Sequence, residues 1–169
     1  MMNKLYTVDF QSPIGIIEII GNEQGITSIL FSARDTAAHV LQPDTPQVLR
    51  DCIKELAEYF NGERLDFTFP CFSEGTAFQQ KVWDALRRVD YAETVSYRDI
   101  AVAIGHDKAV RAVGNANSKN KLTIVVPCHR IIGTNGKLTG YAGTLPRKEW
   151  LLRHEQTVKG NRLAAKSGV

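Results

Sequence analysis

Between Pro70 and Gly75 the chain changes character, and this break constrains its fold more than any other feature. Before it, apolar residues alternate with polar ones. Leu5 to Phe10, Ile14 to Ile20 and Ile26 to Phe31 are rich in β-branched and aromatic residues, as strands require. Gly21-Asn22 and Gly25 punctuate the second and third of these as a hairpin. A helix follows, with Thr45 as N-cap, Pro46 at its first position and Leu49, Cys52, Ile53, Leu56 and Phe60 as its apolar face. Asn61-Gly62 ends it, and Leu65 to Phe69 reads as a further short strand. After the break the apolar period becomes helical. Thr76-Ala-Phe-Gln79 has the form of a capping box, ahead of a stripe of Phe78, Val82, Leu86 and Val89. Ser96 to Asp99 is a second candidate cap, leading into Ile100–Ile104. Gly105 stops that helix and Asp107 starts another, in the outline of a helix-turn-helix. The sequence predicts a small antiparallel sheet with a helix over 1–75, and a helical domain over 76–169 whose tail from Gly160 is poorly ordered.

Charge divides at the same place. Residues 1–75 carry 5 Lys/Arg and 11 Asp/Glu, a balance of −6; residues 76–169 carry 16 and 7, a balance of +9. An acidic domain joined to a basic one points to a polyanion partner for the second. No apolar run approaches the ~20 residues of a membrane span, and the N-terminus lacks the pattern of a secretory signal. Three scattered cysteines, 52, 71 and 128, make no disulfide framework. A cytoplasmic protein is expected, with no membrane partner.

Chemistry concentrates in Thr123 to Ile132, where an apolar run enters Pro127 and is followed by Cys128, His129 and Arg130. Ionisable groups within such a run are costly to bury unless paired. Cys52 lies on an apolar helix face and is a small core residue; Cys71 reads the same way. Cys128 does not fit that role. A strand would point Cys128 and His129 to opposite faces, whereas a turn after Pro127 brings imidazole and thiol together, so that histidine can take the thiol proton. A carboxylate must then orient the histidine. Glu149 and Glu155 are the two acids in residues 108–169, and spacing alone does not choose between them. Neither C-x-x-C nor H-x₃-H occurs, so no zinc site is expected. The glycines of Gly133–Gly136 and Gly140–Gly143 match neither the P-loop nor the dinucleotide fingerprint, and no cofactor is expected; Asn135-Gly136 reads as a hairpin turn.

Pro127-Cys-His-Arg130, Gly140-Tyr-Ala-Gly143 and Lys148-Glu-Trp-Leu-Leu-Arg-His-Glu155 resemble the O6-alkylguanine-DNA alkyltransferase family, as do Arg111-Ala-Val-Gly-Asn-Ala-Asn117 and Asn120. The resemblance runs from about Thr76 to Glu155. It implies a ribonuclease H-like N-terminal domain, and direct reversal of damage by irreversible transfer of one alkyl group to Cys128. In that scheme His129 is the activating base acting through water, and Glu155 holds it. Arg111 fills the gap left by a flipped base, Tyr97 helps rotate the nucleotide, and Asn120 ties the recognition helix, 107–117, to the active segment. Tyr141 lines the base pocket, the carbonyls of Cys128 and Ile131 accept from the guanine amino group, and the Ala142 amide faces the leaving oxygen. Asn117 and Arg130 are counted with the DNA- and base-contacting residues. The partner implied is double-stranded DNA containing O6-alkylguanine, with alkylthymine as a further substrate, bound by a monomer from the minor groove. Thr144 departs from the second glycine expected there. Two other readings compete: a thiol hydrolase with a Cys-His-Glu triad, which leaves the basic helix-turn-helix unexplained, and a DNA-binding protein whose cysteine is structural.

Overall fold

The computed structural model describes residues 4–141 and 143–166. The chain divides into two compact units, Met1–Glu74 and Gly75–Val169.

In the first unit, β1 (Tyr6–Ser12), β2 (Gly15–Asn22) and β3 (Gly25–Phe31) form an antiparallel sheet in that order, with Val8 opposite Ile19 and Ile19 opposite Ile29. The predicted hairpin forms: the Asn22 side-chain oxygen accepts from the amides of Gln24 (2.8 Å) and Gly25 (3.1 Å). Gly21 is required beside a bulge, since a Cβ there would lie 2.6 Å from the Gly25 carbonyl oxygen. Helix α1 (Gln47–Phe60) packs on the sheet through Leu49, Cys52, Leu56 and Tyr59, all buried with Val8, Ile17, Ile19, Ile26 and Ile29. Pro46 is its N-cap, one residue beyond the predicted Thr45, because the Thr45 hydroxyl instead accepts from the Gln42 amide at 2.8 Å.

Leu65–Phe69 does not form the predicted strand. The buried Glu55 carboxylate takes the Thr68 amide and hydroxyl, both at 2.7 Å, removing a donor that a ladder would use. Pairing comes later, within the predicted linker: Ile26 N–H donates to the Pro70 carbonyl and Phe72 N–H to the Ile26 carbonyl.

In the second unit both predicted capping boxes form. Thr76 and Gln79 cap α2 (Ala77–Arg87) reciprocally at 3.1 and 2.9 Å. Ser96 and Asp99 do the same for α3 (Tyr97–Ala103) at 3.0 and 2.8 Å. Gly105, at φ +80°, ends α3 in a Schellman motif, with His106 N–H to the Ala101 carbonyl and Gly105 N–H to Val102. Helix α4 (Val110–Ser118) starts three residues after the predicted Asp107 and has no side-chain cap; the Ala109 amide closes a turn onto the His106 carbonyl first. Helices α2, α3 and α4 pack together, with the buried Trp83 indole N–H donating to the Ala116 carbonyl at 2.9 Å.

A two-residue parallel pairing, β4 (Val95–Ser96) with β5 (Ile131–Ile132), places the Pro127–Ile132 segment beside the start of α3. The predicted turn at Asn135-Gly136 forms, closed by Gly133 N–H to the Lys137 carbonyl, with Gly136 at φ +80°. Helix α5 (Leu145–Lys166) does not fray at Gly160 as predicted. Arg162, Leu163, Ala164, Ala165 and Lys166 are strong helix formers and carry it past the core into solvent, offsetting one exposed glycine.

Candidate active site

The turn at Pro127 sets where His129 and Arg130 point. Pro127, at φ −77° and ψ 63°, is the centre of an inverse γ-turn closed by Cys128 N–H to the Val126 carbonyl at 2.7 Å. A single 3₁₀ turn, Cys128–Arg130, follows. It directs both His129 and Arg130 onto Glu155 of α5, so Glu155, not Glu149, is the carboxylate at the site; Glu149 pairs with Arg153 on the exposed side of the helix.

Glu155 is fully buried, and its carboxylate accepts hydrogen bonds from His129, Arg130 and the Ala92 amide. His129 Nε2 donates to Oε2 at 2.8 Å, Arg130 Nε to Oε1 at 2.9 Å, Arg130 Nη2 to Oε2 at 3.0 Å and the Ala92 amide to Oε1 at 3.2 Å. Burial alone would raise its carboxyl; His129 and Arg130 together outweigh burial and hold it well below the ordinary range. Burial pushes the His129 imidazole down, against the opposing pull of Glu155. The charges of Arg130 and Lys148 act in the same direction as burial, so the neutral imidazole is favoured. Because a carboxylate only accepts, the ring proton sits on Nε2 and Nδ1 is a bare acceptor. Nδ1 has no hydrogen-bond partner among the described residues.

Cys128 is 2% exposed. Burial pushes its thiol up to about 11, opposed by the Asn120 side-chain amide and the charge of Lys148. Asn120 also donates to the Val126 carbonyl at 3.0 Å and accepts from the Leu122 amide at 3.0 Å, tying the end of α4 to the segment entering Pro127. Lys148 is fully buried on α5; its ammonium donates to the Thr139 carbonyl at 2.8 Å, and burial lowers it to about 8. The Thr139 hydroxyl in turn donates to Tyr97 Oη at 3.1 Å. Lys148 therefore connects the thiol's surroundings to the loop that faces Tyr97. Sequence reasoning passed over it, although Lys148, Leu151, Glu155 and Val158 fall on one helical stripe, and charges on an otherwise apolar stripe signal buried partners.

Other predicted residues fall in three places. The Tyr141 hydroxyl is buried, and its phenol is raised well above the ordinary value chiefly by burial, then by the charge of Cys128. Ile131 is buried in its pairing with Val95. Arg111 stands on the exposed face of α4, with Arg98, Lys108, Lys119 and Lys121 also exposed on and around the helix-turn-helix. Asn117 and Arg130, grouped from the sequence with the DNA- and base-contacting residues, are buried. Asn117 is on the inner face of α4. Arg130 is engaged by Glu155 and by the Val89 carbonyl at 2.8 Å. Ala142 lies outside the described residues. Among the described residues no group of three or more His, Cys, Asp or Glu could hold a metal, and no helix is long and apolar enough to cross a membrane.

The model of the 6-O-methylguanine DNA methyltransferase DNA-binding domain matches residues 77–157, and that of the ribonuclease-like domain of the same protein matches residues 3–71. The chain is 46% identical over 158 residues to the constitutive methylated-DNA–protein-cysteine methyltransferase of Bacillus subtilis (strain 168), covering 89% of this chain and 95% of that one. It is 44% identical over 155 residues to the methylated-DNA–protein-cysteine methyltransferase of Methanosarcina acetivorans, covering 89% and 98%. The crystal structure of the Mycobacterium tuberculosis O6-methylguanine methyltransferase superposes with a TM-score of 0.80 at 38% identity, covering 91% of this chain and 94% of that one. A structure of the M. tuberculosis protein in complex with DNA gives 0.79 at 40% identity, covering 91% and 93%. On sequence along nearly its whole length, and on fold, the chain belongs to the 6-O-methylguanine DNA methyltransferase family.

Proposed function

We propose that this protein repairs O6-alkylguanine in double-stranded DNA by moving the alkyl group onto the sulfur of Cys128, once per molecule. The observation that carries the reading is the Cys128–Arg130 turn. It buries a thiol next to a neutral histidine whose far nitrogen is held by a buried carboxylate. His129 Nδ1 takes the thiol proton through a bridging water, the thiolate attacks the alkyl carbon, the carbon–O6 bond breaks, and guanine regains a proton. The product is a thioether, which offers water no carbonyl to attack, and no residue at the site regenerates the thiol.

The guanine O6 is inaccessible inside the base stack, so the nucleotide is flipped out at a cost of a few kcal/mol. Arg111, which is exposed on α4, fills the gap from the minor groove in this reading, and Tyr97 turns the nucleotide. Tyr141 lines the pocket, the carbonyls of Cys128 and Ile131 read the guanine amino group, and the Ala142 amide meets the leaving oxygen. O4-alkylthymine is a second substrate in the same chemistry. The protein acts as a monomer in the cytoplasm and without a cofactor. The exposed basic residues around α3 and α4 support phosphate-dominated, sequence-insensitive binding. The test is Cys128→Ala, which is expected to lose methyl transfer while binding duplex DNA as the parent does; transfer surviving in that variant contradicts the assignment.

A further inference from the structure

Arg130 is two residues beyond the acceptor cysteine, yet no part of it is available to a substrate. Nε and Nη2 bind both oxygens of Glu155, Nη1 donates to the Val89 carbonyl, and the guanidinium carbon lies 5.4 Å from the centre of the Tyr91 ring. The group is held from the chain after α2, from its own turn and from α5, so it cannot swing out to DNA.

The charges around His129 make this arrangement informative. From α5 it meets Glu155 and Lys148, and from its own turn Arg130; around these lie Cys128, Tyr141 and Tyr91, with Arg147 acting on Tyr141 and Arg162 on Tyr91. Without Arg130, Glu155 would face the imidazole alone. A buried carboxylate within hydrogen-bond distance favours the charged form of histidine, and an imidazolium cannot accept a proton. With Arg130 on both oxygens the carboxylate is already neutralised, and a third positive charge beside Arg130 and Lys148 is disfavoured. Transfer of the proton from Sγ to Nδ1 then leaves the net charge of the site unchanged. The new imidazolium is met by Glu155 and the thiolate by Lys148. When the S–C bond forms and the C–O6 bond breaks, the oxygen retains the electron pair and the proton on His129 passes to the guanine.

We propose that Arg130 is a positioning residue that carries the countercharge of Glu155, so that His129 meets the carboxylate as a neutral imidazole with Nδ1 ready to accept the thiol proton. This rests on Cys128 being the acceptor. The experiment is the single-turnover rate of methyl transfer from an O6-methylguanine duplex, measured from about pH 5.5 to pH 9.5, the range in which histidine titrates. In Arg130→Met the acid limb is expected to move up by about one pH unit or more. The loss is thus tenfold or more near pH 6 and shrinks as pH rises. Adding Glu155→Gln removes the unbalanced carboxylate and is expected to return the limb toward the parent position, although the plateau stays low. Equal loss at every pH, with the limb unmoved, overturns the proposal. Nitrogen NMR of His129 keeps the proposal falsifiable where a variant fails to fold: a protonated ring at pH 7 in the unmodified protein overturns it, whereas a ring neutral at pH 6 in the parent and protonated there in Arg130→Met supports it. A parent protein that forms no S-methylcysteine would sink the acceptor reading instead, and the NMR comparison of parent and Arg130→Met would still decide the role of Arg130.

Discussion

Replacing either member of the Arg130–Glu155 pair is predicted to destabilise the C-terminal unit severely, and replacing both less than the two losses combined. The pair makes two parallel hydrogen bonds, 2.9 and 3.0 Å long, between side chains 9% and 0% exposed. Arg130→Met leaves a buried carboxylate without its guanidinium, with His129 and the Ala92 amide among its remaining partners. Glu155→Gln leaves a buried guanidinium with the Val89 carbonyl as its one full acceptor. Removing one partner of a buried ion pair costs about 3–5 kcal/mol, a large part of the about 5–15 kcal/mol that holds a domain folded. The double variant orphans neither charge, so a coupling of about 1–3 kcal/mol is expected. Urea unfolding followed by tryptophan fluorescence measures this in the intact chain, because both tryptophans, Trp83 and Trp150, lie in the C-terminal unit. The pH dependence has a definite sign. The Glu155 carboxyl is held below its ordinary value, so its contribution is complete above the unfolded value of about 4.3 and is lost as pH falls through the folded one. The gap between parent and Glu155→Gln should therefore be full at pH 7 and narrow in acid. Additive losses within about 0.5 kcal/mol, or a gap unchanged in acid, would refute the reasoning.

Two further outcomes are expected. Arg111→Ala should slow repair of duplex O6-methylguanine far more than reaction with the free modified base, because an exposed α4 side chain is needed only while a base is being extruded; equal losses on the two substrates count against that role. Thr144→Gly should raise the stability of the C-terminal unit by about 1 kcal/mol, since a β-branched residue at φ +92° holds roughly 1–3 kcal/mol of strain, partly offset by the greater chain entropy of glycine. A drop in the urea midpoint would show that Thr144 makes compensating contacts.

Much of the fold was legible because its signals are local. Strand alternation, the Asn22–Gly25 turn, both capping boxes and the Gly105 stop each act within a few residues, and each forms. The misses are places where a distant group intervenes. Glu55 on α1 takes the Thr68 amide and dissolves a predicted strand, and the sequence around Leu65 carries no sign of it. Arg130 stood out in the sequence as an ionisable group in an apolar run and was grouped with the DNA- and base-contacting residues, and only the return of α5 shows Glu155 as its partner. The turn after Pro127 was legible in the sequence, but not the choice of Glu155, because the γ-turn at Pro127, rather than side-chain spacing, aims His129 at that residue. Lys148 was within reach of the sequence through its helical register with Glu155.

The central claim is that the sulfur of Cys128 receives the alkyl group and does not release it. Mass spectrometry of the protein, with peptide mapping after incubation with a molar excess of O6-methylguanine duplex, tests this directly. One added methyl per molecule, located on residue 128, and an equal number of lesions consumed are the predicted result. A methyl group mapped to any other residue, or lesions processed beyond the moles of protein present, would contradict it.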